Sequence, residues 1–129
     1  MENKKIKELT KAEEQIMQIL WMIEKGFVKE IMEHLPEPKP AYNTVSTIVR
    51  ILADKGFVAH KAYGNTHQYY PLISKDEYTK VYFKSFLTNY FGSSFRQMVS
   101  FFAKEDKMSI KEMEDVMNLM KEEINKQKK

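Results

Sequence analysis

Residues 41–56 read AYNTVSTIVRILADKG, and the fold turns on them. Val45, Ile48, Val49 and Leu52 recur at helical spacing, which predicts a short amphipathic helix with these four side chains in a core. Asn43, Thr44, Ser46, Thr47 and Arg50 then project from the other side. Serine, threonine and asparagine are mediocre helix formers, so a merely solvated face would more often use alanine, glutamate or lysine. Short hydroxyl and amide side chains do suit a helix that lies in a DNA major groove. They let the backbone approach base edges and phosphates, and an arginine adds reach and charge. The plainer alternative is a surface helix whose exposed positions are polar for no further reason.

The next residues favour the first reading. Residues 57–71, FVAHKAYGNTHQYYP, predict a β-hairpin. Phe57, Val58 and Ala59 form a short apolar run, and Gly64-Asn65 is a turn dipeptide that accepts positive φ. Gln68, Tyr69 and Tyr70 return as the second strand. Pro71 closes it, because proline cannot continue a central ladder. Gly56 suits the C-terminal end of the preceding helix. His60, Lys61 and His67 fall near the strands and tip, while Tyr69 and Tyr63 also fit a purely structural hairpin as packing residues.

Upstream, Leu9-Thr10-Lys11-Ala12-Glu13 has the form of a capping box, with Thr10 as N-cap, Glu13 three residues on, and Leu9 placed to staple the first turn. Ala12, Ile16, Ile19, Leu20 and Ile23 continue at helical spacing, and Met17 and Trp21 widen the apolar face. Trp21 reads as a core or domain-junction residue. Val28, Ile31, Met32 and Leu35 predict a second, short helix. Pro36-Glu37-Pro38-Lys39-Pro40 must be a loop, since three alternating prolines exclude a helix interior. Three helices followed by a hairpin is the layout of a winged helix-turn-helix, expected over residues 1–72.

Residues 73–129 differ in character. Tyr78, Val81, Tyr82, Phe86, Leu87, Tyr90 and Phe91 form an aromatic run that Gly92 breaks, and Ser93 or Ser94 can cap a new helix. Phe95, Met98, Val99, Phe101 and Phe102 follow. From Ser109 a last helix carries Ile110, Met113, Val116, Met117, Met120 and Ile124 at spacing close to a heptad seam, before a lysine-rich end. Three such helices expose more apolar stripe than they can bury alone, a small-domain problem that oligomerisation commonly solves. We therefore expect a helical dimerisation domain here, with Tyr82, Phe86, Phe95, Met113, Met117 and Met120 at the interface. The alternative is a tail folded back over the N-terminal domain.

The 129 residues suffice for one domain or a small domain with an extension. The chain contains no cysteine, which removes disulfides, thiolate metal sites and cysteine nucleophiles and fits a reducing cytosol. No apolar run approaches the roughly 18 residues needed to span a bilayer. The mixed Glu/Lys start is unlike a signal peptide. A soluble, cytoplasmic protein without membrane insertion is expected. The net charge of +3 is modest but unevenly spread. Residues 1–38 hold six lysines against eight glutamates, and residues 72–129 hold eleven basic against nine acidic residues. Between them, Lys39, Arg50, Lys55 and Lys61 face only Asp54, so the local excess coincides with the expected recognition helix and wing. That is where phosphate contacts belong, although four cations make a small footprint and two copies per site would help.

Together these segments resemble the penicillinase repressor family, the BlaI/MecI/CopY group of winged-helix transcriptional regulators. The likeness runs from about Leu9 to Met120. It is most specific at Leu9 to Glu13 with Leu20-Trp21, at Ala41 to Thr47, at Lys55-Gly56-Phe57-Val58 and at Tyr69-Tyr70-Pro71. The resemblance implies a homodimer on a palindromic operator that blocks transcription, with Thr44 and Thr47 as DNA-contacting threonines and Asn43 at a variable, groove-facing position. The family often carries an arginine directly before the leucine that Leu52 matches. Here Ile51 stands in that place and Arg50 one residue earlier. A one-residue shift turns a side chain by about 100°, which leaves Arg50 a phosphate contact and no carried-over base contact.

Members of the antibiotic-resistance branch are released by proteolysis: a membrane metalloprotease sensor leads to a cut between an asparagine and a phenylalanine in the dimerisation domain. The matching bond is Phe101-Phe102, where the asparagine is replaced while Phe102, Ala103 and Lys104 agree. The same two phenylalanines also read simply as dimer core. The copper-responsive branch needs a C-terminal cysteine motif, which this chain lacks.

The resulting expectation is a homodimeric repressor of double-stranded DNA that needs no cofactor or metal, with Tyr42, Asn43, Thr44, Ser46, Thr47, Arg50, Lys61 and His67 as DNA contacts. Lys39 joins the phosphate-holding set. Catalysis has no support: His34, His60 and His67 lack the i, i+4 pairing of a metalloprotease helix, and no glycine cluster forms a phosphate loop. The rival from another class is a winged helix used as a protein-interaction module without sequence-specific DNA binding.

Overall fold

The computed structural model describes residues 6–105 and 108–128; the charged leader, residues 1–5, lies outside them. The chain runs α1 (Lys11–Ile23), α2 (Val28–Glu33), α3 (Tyr42–Asp54), β1 (Val58–Tyr63), β2 (Thr66–Pro71), α4 (Lys75–Phe91), α5 (Phe95–Lys104) and α6 (Ile110–Gln127). It divides into two compact units, one reaching Tyr82 and one starting at Phe83.

In the first unit, the capping box at α1 forms as the sequence predicts. Glu13 N–H donates to Thr10 Oγ1 at 3.2 Å, and Thr10 N–H donates to a Glu13 carboxylate oxygen at 3.0 Å. The apolar face is displaced from the expected one at its start. Ala12 is exposed, and Glu13 is the buried neighbour, only 6% accessible. A charge is tolerated there because Lys55 Nζ donates to its Oε1 at 2.6 Å across 42 residues of sequence.

Burial pushes the Glu13 carboxyl up, but the Lys55 ammonium and the Thr10 amide and hydroxyl outweigh it, so it titrates below the ordinary carboxylate value of 4.5. A lowered folded-state pKa contributes stability above the unfolded pKa, and that contribution is lost as pH falls through the folded value. Glu13→Gln keeps a capping side chain and removes the charge. It is expected to cost about 1.5–3 kcal/mol at pH 7, and in urea melts the deficit should narrow as pH falls below the ordinary carboxylate value and through the lower folded one. A deficit independent of pH would remove the ion pair from the account.

α3 ends as Gly56 requires. Gly56 takes φ +86°, its N–H donates to Ala53 O at 3.0 Å, and Phe57 N–H donates to Leu52 O at 2.9 Å, the two bonds of a Schellman motif. The hairpin pairs Tyr63 with Thr66 and Val58 with Pro71 around the two-residue turn, where Gly64 supplies φ +61° at the first central position. β2 is held on its other edge by Gly26, which exchanges two backbone hydrogen bonds with Tyr69 at 2.9 and 2.8 Å. Met17, Leu20, Ile31, Val45, Val49, Leu52 and Phe57 are sealed in the core beneath. Ile48 is half-buried at its rim.

The start of α4 belongs to this unit. Tyr78 is buried, its ring lies edge-on to Phe57 at 5.7 Å, and its hydroxyl accepts from Leu9 N–H at 2.9 Å. Trp21 Nε1–H donates to Ile73 O at 2.9 Å, and its ring centroid sits 6.0 Å from that of Tyr78. The compact unit therefore continues through Tyr82, ten residues past the expected limit at residue 72.

Within the second unit no described residue is fully buried. Its aromatic side chains cluster loosely, with Phe86 to Tyr90 at 5.2 Å, Phe91 to Phe101 at 5.7 Å and Phe101 to Phe102 at 5.4 Å. Ser94 caps α5 through Gln97 N–H, and Ser109 caps α6 in a reciprocal pair with Glu112. Among the residues expected at an interface, Phe86 and Met113 are half-buried within the protomer, while Tyr82 (first unit), Phe95, Met117 and Met120 are exposed.

Candidate nucleic-acid interface

α3 presents its polar side chains as three strips rather than one. A helix advances 100° per residue, so Asn43, Thr47 and Arg50 stand opposite buried Val45, Val49 and Leu52, and all three are exposed. Thr44 lies on one flank beside exposed Ile51. Ser46 lies on the other flank with Tyr42, where it is half-buried. Arg50 is folded back along the helix: its guanidinium donates to Ser46 Oγ at 3.2 Å and Thr47 Oγ1 at 3.4 Å. Three of its five N–H donors stay available. Ala41 occupies the N-cap without a side-chain hydrogen bond, so the first amides of α3 have no side-chain acceptor.

Tyr42, Ser46 and Arg50 form one wall of a cleft of about 480 Å³, faced by Phe27 and Lys29 from the start of α2 and by Asn65, Thr66 and His67 from the hairpin. The hairpin does not bring its two expected contacts together. Lys61 pairs with Gln68 and His67 with Ala62, consecutive rungs whose side chains alternate across the ribbon. His67 therefore shares a face with His60 and Tyr69, and its ring stacks on that of His60 at 4.0 Å and 11°. Lys61 is on the other face with its ammonium 5.5 Å from the centre of the Tyr63 ring. Tyr63, which also fitted a purely structural hairpin as a packing residue, is 46% exposed, with its ring in a T-shaped arrangement with that of Phe27 at 5.8 Å.

The cation count also changes. Lys39 Nζ donates to Met32 O at 3.0 Å and Leu35 O at 2.7 Å, closing the C-terminal end of α2. Lys55 is committed to Glu13. Two of the four cations that make up the local positive excess thus serve the fold. Lys29 at the cleft is a cation that no motif singled out. Among the described residues no group of three or more His, Cys, Asp or Glu side chains is placed to hold a metal ion, and no helix is long and apolar enough to cross a membrane.

This architecture has known relatives. The DNA-binding domain of the repressor BlaI, solved in solution, superposes with a TM-score of 0.51 at 26% identity, covering 59% of this chain and 94% of that one. The fold is a winged helix. The penicillinase repressor of Bacillus licheniformis is 26% identical over 126 residues, spanning 97% of this chain and 98% of its own length. The methicillin resistance regulatory protein MecI of Staphylococcus aureus (strain N315) is 27% identical over 121 residues, 93% of this chain and 98% of its own. The sequence model of the penicillinase repressors matches residues 9–122, from the α1 cap well into α6. With that match over most of its length, the chain belongs to the penicillinase repressor family, whose members are transcriptional repressors and not enzymes.

Proposed function

We propose that this repressor acts in the cytoplasm as a homodimer on a palindromic duplex operator. Each protomer lays α3 in a major groove with Asn43, Thr44 and Thr47 nearest the bases, Ser46 and Tyr42 on the flank, and Arg50 at a phosphate. His67 or Lys61 adds a wing contact, one per face of the ribbon. The observation that carries the reading is the placement of Asn43, Thr47 and Arg50 in solvent, diametrically opposite the buried stripe of α3. Hydroxyls turned inward would have ended it. A module for protein assembly without DNA draws no support from these relatives, among them a penicillinase repressor and the DNA-binding domain of the repressor BlaI.

Two α3 helices about one DNA turn apart, ~34 Å, or a multiple of that, share the binding energy between linked half-sites. The test is a gel-shift titration on the DNA upstream of the protein's own gene at two salt concentrations. Thr47→Ala is expected to weaken operator binding by roughly 1 kcal/mol or more and to leave random DNA unchanged. Equal loss on both duplexes would reduce Thr47 to a positioning contact.

Release by proteolysis at Phe101-Phe102 is part of the proposal, and α5 sets its condition. Both residues lie inside the helix, and Phe101 is 47% exposed. A bond inside a helix becomes available when the helix opens locally, and this one lies in the last turn of α5, so the cutting rate follows the opening of that turn.

A further inference from the structure

We infer that the cleft between α2, α3 and the hairpin turn seats one strand of the DNA phosphodiester backbone, and that Lys29 is a phosphate contact there. The inference rests on α3 being the major-groove helix and adds an element outside the helix and wing. With α3 in the major groove and the hairpin against the flanking groove, the sugar-phosphate strand dividing the two grooves has to cross the space between them. That space is the cleft of about 480 Å³.

Its chemistry suits that strand. Lys29 and Arg50 bring positive charge from two different helices, and the Asn65 amide and Thr66 hydroxyl lie on the third side. Glu30 is the carboxylate on the lining, and its Oε1 is engaged by Phe27 N–H at 2.9 Å at the start of α2. Lys29 is exposed and forms no ion pair among the described residues, in contrast to Lys55 on Glu13. Phe27 and Tyr42 give the walls apolar surface for the deoxyribose between phosphates. Two cations beside apolar surface suit contact with the backbone, which carries no base information.

Lys29→Ala is compared with wild type on operator and random duplexes across a salt series, with Lys11→Ala, an exposed lysine on α1, as the matched loss of one charge. Lys29→Ala should weaken both duplexes alike, and the slope of log affinity against log salt should become shallower by about one per protomer bound. Lys29→Arg should restore both. Operator duplexes with single methylphosphonates then locate the contact: one neutralised phosphate should weaken wild type and have no further effect on Lys29→Ala. If wild type binds the operator while Lys29→Ala behaves as Lys11→Ala does, the backbone seat is overturned and the groove assignment of α3 stands. If wild type discriminates no operator from random DNA, the groove assignment falls and takes the seat with it.

Discussion

Met117→Asp should turn the proposed dimer into a monomer on a sizing column and lower operator affinity by about two orders of magnitude or more. Met117 is 54% exposed in the single protomer and Met120 47%, on the stripe of α6 that also carries Met113 and Ile124. In one chain an aspartate there meets water and costs little. Between two chains it would be a charge taken out of water without a partner, which is expensive. Affinity falls because each half-site loses the effective concentration supplied by its neighbour. The fluorescence of Trp21, half-buried in the first unit against Tyr78, should not change, which separates lost pairing from lost folding. Met117→Leu keeps the stripe and should stay dimeric. A Met117→Asp protein that still elutes as a dimer would place the seam elsewhere.

Phe57→Ala is expected to cost the first unit about 3–5 kcal/mol, a large part of a domain stability that is typically about 5–15 kcal/mol. Phe57 is fully buried, and its ring meets Tyr78 edge-on. Its backbone ties the end of α3 to the chain leaving the hairpin, donating to Leu52 O and accepting from Leu72 N–H at 2.7 Å beyond β2. The alanine variant keeps those backbone bonds and leaves a cavity where α3, the hairpin and α4 converge. Urea unfolding followed at Trp21 gives the value directly. A loss below 1 kcal/mol would show that this junction closes around the missing ring.

Much of the first unit was legible because its signals are local. Thr10 with Glu13, Gly56 after the last turn of α3, and Gly64-Asn65 between strands each encode a backbone geometry within a few residues. The apolar spacing of Val45, Val49 and Leu52 located the buried side of α3, and with it the exposed one. What escaped were contacts between segments far apart in sequence. Nothing near Glu13 announces Lys55, and nothing near Lys39 announces the carbonyls of Met32 and Leu35, so both lysines passed as surface cations. Lys29 was missed for the opposite reason: one lysine on a short helix carries no pattern, and only the cleft gives it company. The separation of Lys61 from His67 was available in principle, since a two-residue turn at Gly64-Asn65 fixes the register and strand alternation does the rest. The limit between the units was hidden because α4 carries aromatic residues all round. Only packing shows that Tyr78 faces inward.

The unburied state of α5 and α6 has a consequence for dosage. In the proposed dimer, helices with no fully buried side chain among their described residues are held mainly by the partner copy, and pairing depends on how many molecules the cell contains. With the pairing proposed above, scarcity loosens the latter half of the chain and frees the promoter while each reader helix is still intact. Abundance restores silence in the same cooperative way, so the threshold for silencing lies in the number of copies as much as in the strength of any single grip on DNA.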